Sequence, residues 1–122
     1  MKQKTSNYQG LVLTTLNEDE YTFKGGTHKV GQLTETKYSD IIKAFGSPTY
    51  YGSGDDKVQM TWVIEIQSED GIETMEIYDW KTYDMKYTIN FLDRWSIGGT
   101  NKSNPYILNA FVESMKKKEC LI

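Results

Sequence analysis

The chain is poor in the residues that most catalytic and metal sites use. Among its 122 residues there is one cysteine, Cys120, and one histidine, His28. A single cysteine excludes an intramolecular disulfide, and one histidine with one cysteine cannot supply the usual ligands of a zinc site. Neither residue lies in a motif typical of a nucleophile paired with a histidine base. We therefore expect no cofactor, no bound metal and no enzymatic activity.

Long apolar runs are also absent. No stretch of about 18 apolar residues occurs, and the amino-terminal sequence MKQKTSNYQG has no apolar core of signal-peptide length. The sequence thus predicts neither a membrane-spanning helix nor a secretion signal. Because a lone cysteine is typical of reducing compartments, we expect a cytoplasmic protein.

Basic residues are fewer than acidic ones, 14 against 17. The net charge is −3 and the isoelectric point is near 5.1, which argues against non-specific binding to nucleic acid. The imbalance lies between residues 55 and 84, which contain nine acidic residues and two basic ones. Such a segment is typical either of a solvated strand face or of a docking surface for a basic partner.

The strand patterns indicate a sheet. We predict strands over residues 11–16, 21–24 and, less regularly, 27–38. The alternating stretch DKVQMTWVIEIQ, residues 56–67, and the stretch IETMEIYDW, residues 72–80, are joined by SEDG and predict a hairpin with its glycine in the left-handed conformation. Both faces of the return strand are mixed, so its core-facing side stays open. A last strand is predicted over 89–99.

Two helices complete the prediction. YSDIIKAF, residues 38–45, is predicted as a helix capped by Thr36 or Ser39, and a C-terminal helix is predicted after Asn104 and Pro105. The chain is long enough for one core, and we predict a single domain over residues 1–122. The fold class is α+β, a mostly antiparallel sheet with a short internal helix and a C-terminal helix.

Two short stretches are spelled almost alike, GGTHK at residues 25–29 and GGTNK at 98–102. Consecutive glycines let backbone N–H groups converge on an anion, and threonine and lysine add a donor and a charge. The second stretch leads into a helix start, which also favours anions. The two are either turns or halves of one phosphate site. The candidate ligands are Gly25, Gly26, Thr27, Lys29, Gly98, Gly99, Thr100 and Lys102.

Aromatic residues are abundant, and nine of them are tyrosines. Such side chains fill a core or stack on a ligand. In IYDWKTYD, residues 77–84, Trp80 and Tyr83 can stack on a base, Lys81 can contact a phosphate and Asp79 can accept from a ribose. Trp95, close to the second glycine pair, is a further stacking candidate. The alternative is that Trp80 covers the core and the acids solvate a turn.

A spaced pattern over residues 25–100 resembles a group of small proteins from bacteriophages and large DNA viruses. The resemblance carries over no catalytic residues. It implies an accessory protein in the cytoplasm of an infected host cell and, by analogy, one that blocks a host defence. The pattern consists of Gly26 and Thr27, Gly31, Tyr38, Phe45 and Gly46, Pro48, Asp56 and Lys57, Trp62, the run Tyr78 to Lys81, and Trp95 with Gly98 and Gly99.

Two functional hypotheses follow. The first is a non-enzymatic viral anti-defence protein, a sponge that sequesters a small anionic nucleotide signal at the glycine stretches and aromatic residues. The alternative is an inhibitor that docks the acidic hairpin, residues 55–84, on a basic surface of a host defence or nucleic-acid enzyme. A homodimer or higher oligomer would be one way to build a shared pocket. A nucleotide-cleaving hydrolase that uses Asp79 ranks well behind both.

Overall fold

The computed structural model describes residues 4–20, 27–52 and 57–120. The described residues form an α+β fold, an antiparallel sheet with a short internal helix and a C-terminal helix, as the sequence predicted. The strands are β1 Thr5–Tyr8, β2 Leu11–Thr15, β3 His28–Leu33, β4 Tyr50–Tyr51, β5 Met60–Ser68, β6 Gly71–Tyr78 and β7 Trp95–Gly99; the helices are α1 Tyr38–Phe45, α2 Met85–Asn90 and α3 Tyr106–Cys120, with a 3-10 turn at Glu18–Glu20. The strand predicted at residues 21–24 lies outside the described residues.

The strands form one sheet in the order β1-β2-β5-β6-β7-β3, and β4 pairs with β5 beside β2. The predicted hairpin is its centre, with β5 and β6 in register from Thr61 opposite Tyr78 to Ser68 opposite Gly71. We predicted the left-handed helical conformation for Gly71, in which φ is about 57°. The observed φ is positive but much larger, at 140°. Either conformation disfavours a residue with a Cβ.

Helices α1 and α3 cover one face of the sheet, and the core lies between. Two buried indoles, Trp62 and Trp95, pack edge to face with ring centres 5.5 Å apart. Their N–H groups donate to the carbonyls of Gly46 and Thr36, so neither buried donor lacks a partner. The core face of the return strand is now settled. Strand residues Met60, Trp62, Ile64, Ile66, Met75 and Ile77 join Ile41, Phe45, Leu108, Phe111 and Val112 from the helices.

The predicted strand over residues 89–99 is wrong in its first half. Helix α2 occupies Met85–Asn90, and the strand begins only at Trp95. Asp84 starts this helix, because its carboxylate accepts a hydrogen bond from the Lys86 N–H at 3.0 Å. The residues Tyr87, Thr88 and Ile89 favour strands by their branched and aromatic side chains. Here tertiary packing overrides that preference.

Helix α1 begins as predicted, but with a different cap. The N-cap is Lys37, and its N–H donates to the carboxylate of Asp40 at 2.8 Å. Thr36 instead donates its hydroxyl to the carbonyl of Thr34. The acid in the first turn therefore satisfies the N–H of the N-cap residue, and its own N–H donates to the Lys37 carbonyl at 2.9 Å. The predicted cap is wrong, since neither Thr36 nor Ser39 is the N-cap. No helix of the described residues is long and apolar enough to cross a membrane.

Candidate functional site

The pairing of β3 with β7 brings the two Gly-Gly-Thr-x-Lys stretches side by side. His28 lies opposite Gly99, and Lys29 lies opposite Gly98. The second stretch does not form the predicted nest, because Gly98 and Gly99 are strand residues and neither has a positive φ. Its remaining residues form a turn, in which the N–H of Ser103 donates to the Thr100 carbonyl. A nest needs backbone that alternates in hand. Gly25 and Gly26 lie outside the described residues.

The two glycines of β7 serve different purposes. A Cβ on Gly98 would lie 3.2 Å from a ring carbon of Tyr78 and 3.8 Å from a carboxylate oxygen of Glu76. A Cβ on Gly99 would lie only 2.6 Å from the hydroxyl of Ser103. Gly98 thus keeps the sheet surface open beside Tyr78 and Glu76, whereas Gly99 admits the turn that leads to α3.

A cavity of about 630 Å³ lies on the outer face of the sheet, the face opposite α1 and α3. Its floor comes from outward positions of β5, β6 and β7, which alternate with the core residues. Its volume is within the usual range for small-ligand sites. The described residues that line it are Thr27, His28, Tyr50, Gly52, Val58, Thr61, Glu76, Tyr78, Trp80 and Gly98.

Glu76 is the one carboxylate among the described lining residues. Burial raises the pKa of its carboxyl above the ordinary value, and a hydrogen bond with the Thr27 side chain lowers it by less. Burial also raises the pKa of the Tyr78 hydroxyl, and the nearby Glu76 charge adds to the effect. Partly desolvated acids in clefts are common among functional groups because folding alone does not favour them.

Trp80 and two lysines close to its ring form the rim of the site. The Trp80 ring stands at 87° to that of Tyr78, with centres 6.3 Å apart. The ammonium groups of Lys57 and Lys81 lie 6.0 Å and 5.6 Å from the centre of the indole. The backbone holds this arrangement, since the N–H of Lys81 donates to the carbonyl of Lys57 at 2.7 Å. The half-exposed indole therefore lines the cavity, and two ammonium groups lie close to its ring.

Asp79 directly precedes this rim, and it is fully buried. One carboxylate oxygen accepts from the N–H groups of Gln59 and Met60, at 2.8 Å and 3.1 Å. The other lies 2.7 Å from the hydroxyls of both Thr82 and Thr88. Asp79 ties α2 and the start of β5 to the end of β6. The predicted ribose contact and the hydrolase role of Asp79 are wrong, because its acceptor positions are occupied inside the protein.

Of the described candidates, Thr27, Gly98 and Trp80 line the cavity. Lys29 is opposite Gly98 in the sheet, and Lys81 lies over the Trp80 ring. The stacking role predicted for Trp95 is wrong, because Trp95 is 1% exposed and belongs to the core.

The remaining candidates lie apart from the cavity lining. Thr100 and Lys102 occupy the turn after β7, where the N–H of Lys102 donates to the Thr100 hydroxyl at 3.3 Å. Tyr83 is exposed and has a φ of 59°. Glu76 and Tyr78 were not predicted as site residues. Strand alternation placed both on one face with Trp80, but the sequence left open which face meets the core; burial of Met75 and Ile77 decides it.

The acidic segment does not form one surface. Asp79 is buried and Glu76 lies in the cavity, whereas Glu69 and Asp70 are exposed at the hairpin turn. Residues 55 and 56 lie outside the described part of the chain. The described acids of this segment therefore have different surroundings, among them the protein interior, the cavity and the solvated hairpin turn.

No protein-family model matches the chain, and neither does any curated protein or solved structure. Among residues 4–20, 27–52 and 57–120, no group of three or more histidine, cysteine or acidic side chains is placed to hold a metal ion. The features that remain are one acid, an aromatic wall and two lysines around a cavity.

Proposed function

We propose that this protein binds and sequesters a small nucleotide-like anion in the outer-face cavity, as a non-enzymatic viral anti-defence protein. The observation that carries the binding role is the combination of Tyr78 and Trp80 at the wall with Lys57 and Lys81 at the rim. Stacking of a base on an aromatic ring contributes about 1–3 kcal/mol, and lysines attract phosphate as point charges. The viral role is supported by the sequence resemblance.

Sequestration rather than turnover is the proposed outcome. The most strongly hydrogen-bonded acid near the site, Asp79, is enclosed and serves the fold. Cleavage would require a base within reach of an attacking water, and His28 does line the cavity. The fate of the bound ligand is therefore part of the test, and we expect recovery of intact ligand.

The experiment is thermal unfolding of the purified protein with nucleotides, cyclic dinucleotides and ADP-ribose derivatives. A ligand at 100 times its dissociation constant raises the free energy of unfolding by about 2.7 kcal/mol, a Tm shift of roughly 10 °C for a domain of this size. Trp80→Ala should abolish the shift. Tyr83→Ala is the matched control, since Tyr83 is an exposed aromatic residue nearby that does not line the cavity.

The result that would contradict the proposal is specific. If no compound in the panel raises the Tm of the wild-type protein, the cavity binds none of these nucleotides, and docking of the acidic hairpin on a protein becomes the favoured function. A ligand that binds but is recovered as cleaved product would retain the site and overturn the non-enzymatic role.

Docking on a basic protein surface is the second candidate, and the exposed hairpin turn favours it. Glu69 and Asp70 project acidic charge there, and Ile72 beside them is 62% exposed. Charges at a rim steer association, and an apolar side chain can anchor it. Replacing Glu69 and Asp70 by lysine should weaken capture of a basic partner and its salt dependence while leaving nucleotide binding unchanged. Capture that ignores salt would contradict this candidate.

A further inference from the structure

We infer that the cavity selects a base with two adjacent N–H donors, as on the Watson–Crick edge of guanine, and that Glu76 recognises this edge. The inference rests on the proposed nucleotide binding and adds the identity of the base. It is argued from the position of Glu76, from the aromatic walls and from the order of charges across the cavity.

The first step is the acceptor on the cavity floor. In the sheet Glu76 lies between Val63 of β5 and Gly98 of β7. Because Gly98 has no side chain, the surface beside the carboxylate is open. A carboxylate offers about four acceptor positions on two oxygens, and the bond with Thr27 uses one of them. Two parallel N–H donors match the geometry of the remaining positions.

The second step is the shape of the walls. Tyr78 and Trp80 meet almost at a right angle, so a flat ring that stacks on Tyr78 contacts Trp80 with its edge. Offset stacks and edge contacts are both favourable for aromatic rings. A planar base with its donor edge toward Glu76 satisfies these contacts together.

The third step separates a nucleotide from the other ligand that an acid and aromatic rings suit, an alkylammonium ion. Lys57 and Lys81 already place two ammonium groups over the Trp80 ring. A further cation at this ring would be repelled. A nucleotide instead brings its donor edge to Glu76 and its phosphate to the lysines. An acid inside and cations at the rim complement that ligand at both ends.

The test is titration calorimetry with GMP, IMP and AMP, with choline as the alkylammonium probe. IMP keeps the ring N–H of guanine but lacks the exocyclic amine, and AMP presents an acceptor in place of the ring N–H. A hydrogen bond to a charged group corresponds to roughly a tenfold to hundredfold change in affinity. We expect GMP to bind at least about tenfold more tightly than IMP, with AMP weaker again.

Glu76→Gln should remove most of the preference for GMP, because an amide replaces one acceptor with a donor. Glu73→Gln is the matched control, the same change on the same strand at a position that faces the other side of the sheet. Equal binding of GMP, IMP and AMP by the wild-type protein overturns this inference and leaves nucleotide sequestration standing. Binding of choline without binding of any nucleotide overturns both.

Discussion

Asp79 and Glu76 lie three residues apart in the sequence, and their carboxylates have different surroundings. Just beyond the end of β6, Asp79 is fully buried and accepts hydrogen bonds from two backbone N–H groups and two threonine hydroxyls. On the outer side, Glu76 lies in an open cavity beside Tyr78 and Gly98. The same chemical group is thus a structural tie in one place and a candidate ligand contact in the other. The difference lies in the number of internal donors that surround each carboxylate.

The largest expected effect comes from Asp79→Asn. The amide turns one acceptor into a donor that faces other donors, so we expect a loss of about 2–4 kcal/mol in the free energy of unfolding. Urea unfolding followed by tryptophan fluorescence measures it. Asp84→Asn is the control, an exposed cap of a short helix whose loss should cost about 1 kcal/mol or less. Equal effects of the two changes would contradict the assignment of Asp79 as a tie.

A smaller effect is expected for Thr88→Val, which removes one of the two hydroxyls near Asp79 and keeps the shape of the side chain. The partly unsatisfied carboxylate should lower the free energy of unfolding by about 1–2 kcal/mol. In the double variant with Asp79→Asn, the two losses should not add, because both act on one network. Full additivity in urea unfolding would show that Thr88 acts independently of Asp79.

Trp80→Ala tests whether the residue next to Asp79 serves the cavity rather than the fold. Trp80 follows Asp79 in the sequence, but its side chain lines the same cavity as Glu76. Loss of the contacts with Lys57 and Lys81 should reduce the free energy of unfolding by only about 0.5–1 kcal/mol. Nucleotide binding should nevertheless be lost. A loss above about 2 kcal/mol in thermal unfolding would mean that Trp80 belongs to the core instead.

The smallest effect, of opposite sign, is expected for Glu76→Gln. Since burial raises the pKa of Glu76 in the folded protein, the folded state binds this proton more tightly than the unfolded chain. The contribution of Glu76 to the free energy of unfolding is therefore most favourable below its unfolded pKa, and it is lost as the pH rises through the folded pKa. The Thr27 side chain is hydrogen-bonded to Glu76, and the charge of Glu76 raises the pKa of the nearby Tyr50 and Tyr78 hydroxyls.

Glu76→Gln removes that titration. Unfolding measured at several pH values should show the variant gaining stability relative to the wild type as the pH rises from the unfolded pKa through the folded pKa, with a constant difference above it. Asp79→Asn should lose stability at neutral pH under the same conditions. If both variants were destabilised alike, the contrast between the two carboxylates would not hold.

Local patterns in the sequence predicted much of the fold. The alternation around Trp62 and Ile64 placed both residues in the core, and Asn104 was predicted as the cap of the C-terminal helix. Its side chain does accept from the N–H of Tyr106, at 3.2 Å. Helix α2 was missed because its residues favour strands. The buried hydroxyl of Thr88 holds it to Asp79, a side-chain contact that hydrophobic periodicity does not predict.

The candidate site was predicted only in part, since Thr27, Trp80 and Gly98 were predicted as ligand-binding residues but Glu76 and Tyr78 were not. The sequence by itself determined the central hairpin, the C-terminal helix and the strand alternation, because these follow from local period and capping. Tertiary structure decided that β3 pairs with β7, that the two glycine stretches meet, and that Trp95 is buried. It also decided which carboxylate is enclosed by donors. Those outcomes depend on strand order and on contacts between distant residues, which hydrophobic periodicity does not encode.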